Sequence, residues 1–304
     1  MGATLGRPTG LLRRAIPAGR KGILFWERGD MNVESRIYAS SGRAVTTTRE
    51  HMATLMTNPF IRKLAQGAEL SSKDRGILLE MVRPAFKVER RRHLFREHDT
   101  LHAIFLVLEG WACRYKMLPD GRRQVVGFLI PGDLSDMDAS ALDKSDHSVA
   151  MLSSGQVVAI APETMRHAID YYPAIARALN WTASIQQAVM REWLTSLGQR
   201  DAFARIAHLF CELWLRMTAI GLAKGQSFAL PLTQVDLGDT LGLTSVHVNR
   251  QLQIMRNAGL ITLERQILTI HDPSKLVSLC GFDASYLQKG GELGWSISHN
   301  QTWF

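Results

Sequence analysis

Val246, Asn249, Arg250 and Gln253 recur at three-to-four spacing, which puts them on one face of a helix. They lie inside LGDTLGLTSVHVNRQLQIMRNAGLI, which runs from Leu237 to Ile261. Val248, Leu252 and Met255 occupy the opposite face and read as core. The outward face is short-chained, rich in hydrogen-bonding groups and almost free of acid. Solvated helix faces usually mix Glu and Lys, so this one has the make-up of a contact surface. Arginine can bond guanine O6 and N7 together, asparagine can pair with adenine, and an apolar tip can meet a thymine methyl. The spacing therefore predicts Arg250 on guanine, Asn249 on adenine or phosphate, and Val246 on a thymine methyl. Gln234, Thr244 and Ser245 are candidates for phosphate, aided by the helix N-terminus. His247 and Gln253 complete the set. Double-stranded DNA is the partner this chemistry fits.

The neighbouring elements agree with that reading. Thr233 and Asp236 stand three apart before an apolar run, as in a capping box with Asp in the acidic position. They predict a short helix ending near Leu241. Gly242 is expected to supply a turn that a side chain would obstruct, and Thr244 to cap a helix over about 244–257. Gly259 should stop that helix, and LITLERQILTI then reads as a hairpin. Helix, tight turn, helix and hairpin make a winged helix-turn-helix.

Upstream, the pattern divides into three. Residues 1–51 are rich in Arg, Gly and Thr without sustained periodicity, and read as a disordered extension. Met31 and Met52 offer alternative starts. Two helical pieces follow, capped by Asn58 and by Ser71 or Ser72, with Pro84 closing the second. From about Leu94 to Ile160 the period becomes that of short strands punctuated by Gly turns, which predicts an antiparallel roll. From Ala174 to Leu197 the chain reads as one helix of about 36 Å. Ile175, Leu179, Thr182, Gln186, Val189 and Trp193 form its seam, and a second copy of the helix is the economical partner. The expected fold is α+β: an extension over 1–51, a roll domain over 52–172, a dimerisation helix over 173–198, and a winged helix-turn-helix domain with its tail over 199–304.

Composition sets bounds. At 304 residues, 46% hydrophobic and 21% charged, the chain is expected to pack as about two globular domains. No apolar run nears the roughly 18 residues that span a membrane, and no secretory signal pattern is present; the expected location is the cytoplasm. Net charge is +8, but residues 1–50 hold nine Lys/Arg against four Asp/Glu, and the rest twenty-seven against twenty-four. Charge alone therefore does not locate a DNA-binding surface. Cys113, Cys211 and Cys280 lie far apart and read as buried apolar residues. His93, His98 and His102 fall where strand spacing separates them, so no metal site is expected. No phosphate-binding loop, zinc signature or nucleophile constellation points to an enzyme. The alternative to a DNA-binding regulator is a ligand-binding or protein-interaction module that uses the roll alone.

On LTQVDLGDTLGLTSVHVNRQL, RIAHLFCEL and GFLIPGDL, the chain resembles the Crp/Fnr superfamily of bacterial transcription factors over about residues 55–285. The resemblance implies a cyclic-nucleotide-binding-like β-roll, a dimerisation helix and a winged helix that binds a two-fold palindrome. RNA polymerase would be a further partner where such a regulator activates. Arg250 matches the family's base-reading arginine, while Ser245 and Val246 replace a frequent Arg-Glu pair. In cyclic-AMP-binding members a Gly-Glu-Leu turn and an Arg-Ser/Thr dipeptide hold the ligand. The matching positions are Gly132-Asp133-Leu134-Ser135 and His147-Ser148, so the phosphate-binding arginine is absent. A neutral imidazole does not replace a guanidinium on phosphate, and His147 reads more simply as a surface loop residue. Three dispersed cysteines also fall short of the four that an iron–sulfur cluster needs. No cofactor is expected.

Overall fold

A computed structural model describes residues 58–136 and 144–288; the predicted N-terminal extension lies outside them. Two short helices open the fold: α1 (Pro59–Leu64), capped by Asn58, and α2 (Ser72–Met81), whose Ser71 and Asp74 form a reciprocal capping box.

Seven strands follow: β1 (Ala85–Val88), β2 (His93–Phe95), β3 (Ile104–Glu109), β4 (Ala112–Met117), β5 (Arg123–Leu129), β6 (Ser148–Met151) and β7 (Gly155–Ile160). They form two antiparallel sheets, ordered β1-β7-β3 and β2-β6-β4-β5. Alternation explains their apolar runs. In β3, Phe105 and Val107 pack with Val149, Met151 and Leu129 of the other sheet, while Ile104 and Leu106 pack with the helical layer. In β4, Ala112 faces inward, while Cys113 and Tyr115 join the core of the C-terminal half. Both faces of the strands are therefore covered, and the roll and C-terminal half share a packed boundary.

Helix α3 (Pro162–Tyr171) leads into α4 (Pro173–Gln199). The latter is about 40 Å long at 1.5 Å per residue, and Gly198 lies in its last turn without interrupting it. The seam predicted on α4 requires correction. Ile175, Leu179, Thr182 and Trp193 are buried within the chain itself. Ile175 and Leu179 pack with α1 and α2, and Trp193 packs with the C-terminal core. Gln186 and Val189 are half-buried, and Gln186 accepts a hydrogen bond from Arg114 at 3.4 Å. The roll and the next helix are wide enough to take that apolar stripe. The large apolar side chains that α4 leaves exposed are Met190 (59%) and Leu194 (72%).

Helix α5 (Ala202–Ala219) carries the C-terminal core with Ile206, Leu209, Phe210, Leu213 and Met217 inward. A three-stranded sheet, three helices and a final 3-10 turn complete the described fold. Strand β8 (Ser227–Ala229) pairs with β10 (Ile267–Ile270), which pairs with β9 (Ile261–Glu264). Helix α6 (Gln234–Leu241) and helix α7 (Ser245–Asn257) lie between β8 and β9, and α8 (Pro273–Cys280) and a 3-10 turn (Ala284–Leu287) follow. Among the described residues, no helix is long and apolar enough to cross a membrane.

Candidate nucleic-acid interface

The turn between α6 and α7 is fixed by chain chemistry. Thr233 and Asp236 form the capping box that starts α6. Asp236 is buried, which would raise its carboxyl, but the Thr233 hydroxyl and N–H and the Arg123 guanidinium outweigh that and hold it below the usual range. Gly242 ends α6 in the left-handed conformation, φ +65°, which favours glycine. A side chain at Gly242 would be strained by that backbone conformation rather than by crowding, since an added Cβ makes only ordinary contact with Leu197. The steric demand falls on Gly238, where a Cβ would lie 2.5 Å from the Leu243 carbonyl oxygen. Thr244 then caps α7 by accepting from the His247 N–H at 3.2 Å.

Helix α7 buries Val248, Gln251, Leu252 and Met255 and turns its other face outward. Thr244, Val246, Asn249, Arg250 and Gln253 are exposed, with Gln234 of α6 beside them; Ser245 and His247 are half-buried. Val246 is 78% exposed. The face is organised by hydrogen bonds. Gln234 Nε2 donates to Asn249 Oδ1 at 3.3 Å, and Arg250 Nη2 and Gln251 Nε2 each lie 3.2 Å from His247 Nε2. The β9–β10 wing turns through Arg265 and Gln266, both with positive φ, and leaves Arg265 exposed at its tip. Sequence reasoning passed over Arg265; its signal was the two-residue gap between apolar runs.

Among the described residues, the second candidate site consists of two separate groups. Gly132 (φ +91°) brings the turn against α1, and a Cβ there would lie 2.7 Å from the Pro59 carbonyl oxygen. Asp133 is 1% exposed. Its carboxylate pairs with Lys63 of α1, accepts from Arg216 of α5 at 2.9 Å and from the Ile130 N–H at 3.0 Å. Burial, then the charges of Arg216 and Arg114, lower the Lys63 ammonium well below its ordinary value. Leu134 bridges to β3, and the Ser135 hydroxyl accepts from the Phe105 N–H at 2.9 Å. His147 and Ser148 lie at the start of β6, on the facing sheet. The Ser148 hydroxyl accepts from the Glu97 N–H, and residues 137–143, between the two groups, are outside the described ones.

His147 is not the surface residue expected. Its side chain is 12% exposed, it contacts Asp146 at 2.7 Å, and its ring meets Phe95 edge-on at 5.4 Å. The loop folds over β2, and the imidazole supplies an aromatic edge to that core. A guanidinium does reach the turn, but from Arg114 on β4. It donates to the carbonyls of Leu134 at 2.8 Å and Ser135 at 3.0 Å, and burial lowers it to about 10.

Two networks across the domain boundary were also missed. Arg123 of β5 bonds Asp236 at 2.6 Å and Asp239 at 2.8 Å, tying the roll to α6. Glu212 on α5 is fully buried and accepts from Trp193 Nε1, Tyr286 and Arg216. Glu212 and Arg216 stand four apart on α5, a spacing the sequence does show, but Arg123, Trp193 and Tyr286 are distant from their partners, so no spacing announces those bonds. The three cysteines are buried as expected, and burial pushes the Cys113 thiol up to about 12. Among the described residues, no cluster of three or more His, Cys, Asp or Glu could hold a metal ion.

Residues 204–279 match the family model for a Crp-like helix-turn-helix domain, and residues 85–172 match that for a cyclic nucleotide-binding domain. The nitrogen fixation regulation protein FixK of Bradyrhizobium diazoefficiens is 31% identical over 188 residues, covering 61% of this chain and 77% of FixK. The transcriptional activatory protein AadR of Rhodopseudomonas palustris is 26% identical over 223 residues, 73% of this chain and 92% of AadR. The structure of FixK2 from Bradyrhizobium japonicum has a TM-score of 0.58 at 23% identity, over 64% of this chain and 96% of that one, a likeness of fold.

Proposed function

Because this chain belongs to the Crp/Fnr family of transcription regulators, we propose that it works in the cytoplasm as a homodimer reading a palindromic operator through α7. It is a DNA-binding regulator of transcription. The observation that carries the finer reading is the exposed row Val246, Asn249, Arg250 and Gln253 on a helix capped at its N-terminus. Arg250 takes guanine in bidentate fashion, Asn249 takes adenine or phosphate, and Val246 takes a thymine methyl. Gln234, Thr244 and Ser245 hold phosphate, and His247 and Gln253 border the read bases. We place the roll domain at 52–172, the dimerisation helix at 173–198 and the DNA-binding domain at 199–304. RNA polymerase joins as a partner where the regulator activates. No catalysis is involved.

The dimer face follows from what α4 leaves open. Ala176, Asn180, Ala183, Gln187, Met190, Leu194 and Leu197 are spaced alternately four and three apart. That is the seam of a two-stranded coiled coil, with small residues allowing close approach at one end and apolar ones filling the other. Leu194→Glu is expected to give a monomer by sedimentation and to abolish palindrome binding; a dimer that persists rejects this face. Cyclic nucleotides are not the effector in this reading, because the buried Asp133 is held by two cations and no arginine stands at His147.

The decisive experiment selects genomic duplex fragments with purified protein and no added ligand. An enriched palindrome with half-sites about one helical turn apart is expected. No enrichment, with or without cyclic AMP and reductant, rejects the reading.

A further inference from the structure

We infer that His247 is a positioning residue that holds the Arg250 guanidinium ready for its base, an assignment that rests on the recognition-helix reading above. A guanidinium only donates hydrogen bonds. With Arg250 Nη2 at 3.2 Å, His247 Nε2 is therefore the acceptor and the ring proton is on Nδ1. Gln251 Nε2 approaches the same nitrogen at 3.2 Å. The two donors differ in surroundings: Gln251 is 8% exposed and packed into the helix-turn-helix core, whereas Arg250 lies open on the reading face. The imidazole thus connects the ordered interior of α7 to the tip of its longest outward side chain.

Helix geometry makes the contact local. Positions 247, 250 and 251 are three and four apart on one side of α7, where side chains meet. The shared bond uses one Nη2 hydrogen and leaves the other guanidinium donors for guanine O6 and N7. An arginine restrained before encounter has less rotamer freedom to lose on binding, and the restraint also selects one approach to the base edge. Gln234 does the equivalent for Asn249 from α6, through its bond to Oδ1. The reading face is organised before any DNA arrives.

The test is selection from randomised duplexes by full-length wild type and by His247→Ala, His247→Gln, Arg250→Ala and the His247→Ala/Arg250→Ala double variant. Base preference is scored at every position. His247→Ala is expected to lower the guanine preference at the Arg250 base pair by about 3- to 10-fold, the size of one net hydrogen bond, and to leave other positions unchanged. Adding it to Arg250→Ala should change nothing more, and His247→Gln, which keeps an acceptor, should restore most of the preference. The inference is overturned if His247→Ala has no effect, if its effect persists without Arg250 and so marks a contact of its own, or if preference falls evenly across the site. A wild type with no sequence preference rejects the recognition-helix reading and the inference with it.

Discussion

The outward face of α7 and the Gly132–Ser135 turn are both rich in polar groups, and they use those groups in opposite ways. On α7, Val246, Asn249, Arg250 and Gln253 are exposed, and the bonds of Asn249 to Gln234 and of Arg250 to His247 leave most of their donors and acceptors unused. At the turn, Asp133 is sealed in and its carboxylate is consumed by Lys63, Arg216 and a backbone N–H. A polar group turned to solvent can be exchanged for contact with another molecule at little cost. One satisfied inside a low-dielectric boundary cannot be removed cheaply, because its partners are left stranded. The first region is suited to recognition, and the second to holding the roll, α1 and α5 together.

Four measurements sharpen that contrast. Asp133→Ala should have the largest effect, about 3–5 kcal/mol of stability by urea unfolding, because two largely covered cations lose their buried counter-charge. Base preference should survive in whatever fraction stays folded; a loss below 1 kcal/mol would break the comparison.

A second, somewhat smaller effect comes from His208, which is 2% exposed and held down to about 3 by burial and then by Arg200. Its folded value is below its unfolded one, so the stability it confers is present above about pH 6.5 and is lost as pH falls toward 3. The Glu192 carboxylate, 3.2 Å from Nε2, acts against this, so up to about 2 kcal/mol should disappear between pH 7 and 4.5. Glu212, raised by burial, acts with the opposite sign. The diagnostic is therefore the difference between wild type and His208→Gln, whose acid loss should be smaller. Equal pH slopes for the two would contradict this account.

On the exposed side, Arg250→Ala should cost about 1–3 kcal/mol of discrimination at one base pair, with a melting temperature close to wild type. A large stability loss would show that Arg250 belongs with the buried set. The smallest expected effect is Val246→Ala, which shortens an apolar contact and should weaken thymine preference at one position by about 1 kcal/mol or less. Competition between thymine and uracil duplexes measures it directly, since uracil lacks the methyl.

The reading helix was legible because its signals are local. The Thr233–Asp236 box, the Thr244 cap and the split of α7 into core and outward residues each lie within a few positions of one another. The strands of the roll were legible for the same reason, from period and Gly turns. The seam of α4 was misread because an apolar stripe does not say what covers it. Ile175 and Leu179 are taken by α1 and α2, and Trp193 by α5 and Glu212. The 4-3 row that holds Met190, Leu194 and Leu197 is interrupted by Asn180 and Gln187, so it was the weaker signal in sequence, although Met190 and Leu194 are the large apolar side chains left exposed. Placing His147 at the surface failed likewise, since Phe95 lies far from it in the chain.

By itself, the sequence determined the element types, the family, and which side chains of α7 face away from its core, because caps, turns and periodicity act over one or two helical turns. Only the tertiary structure decided that Asp133 is spent on Lys63 and Arg216, that Arg123 ties the roll to Asp236 and Asp239, and which face of α4 the described residues cover. Those outcomes depend on which distant surfaces meet, and burial sets the strength of a charge or an apolar stripe only after they have met.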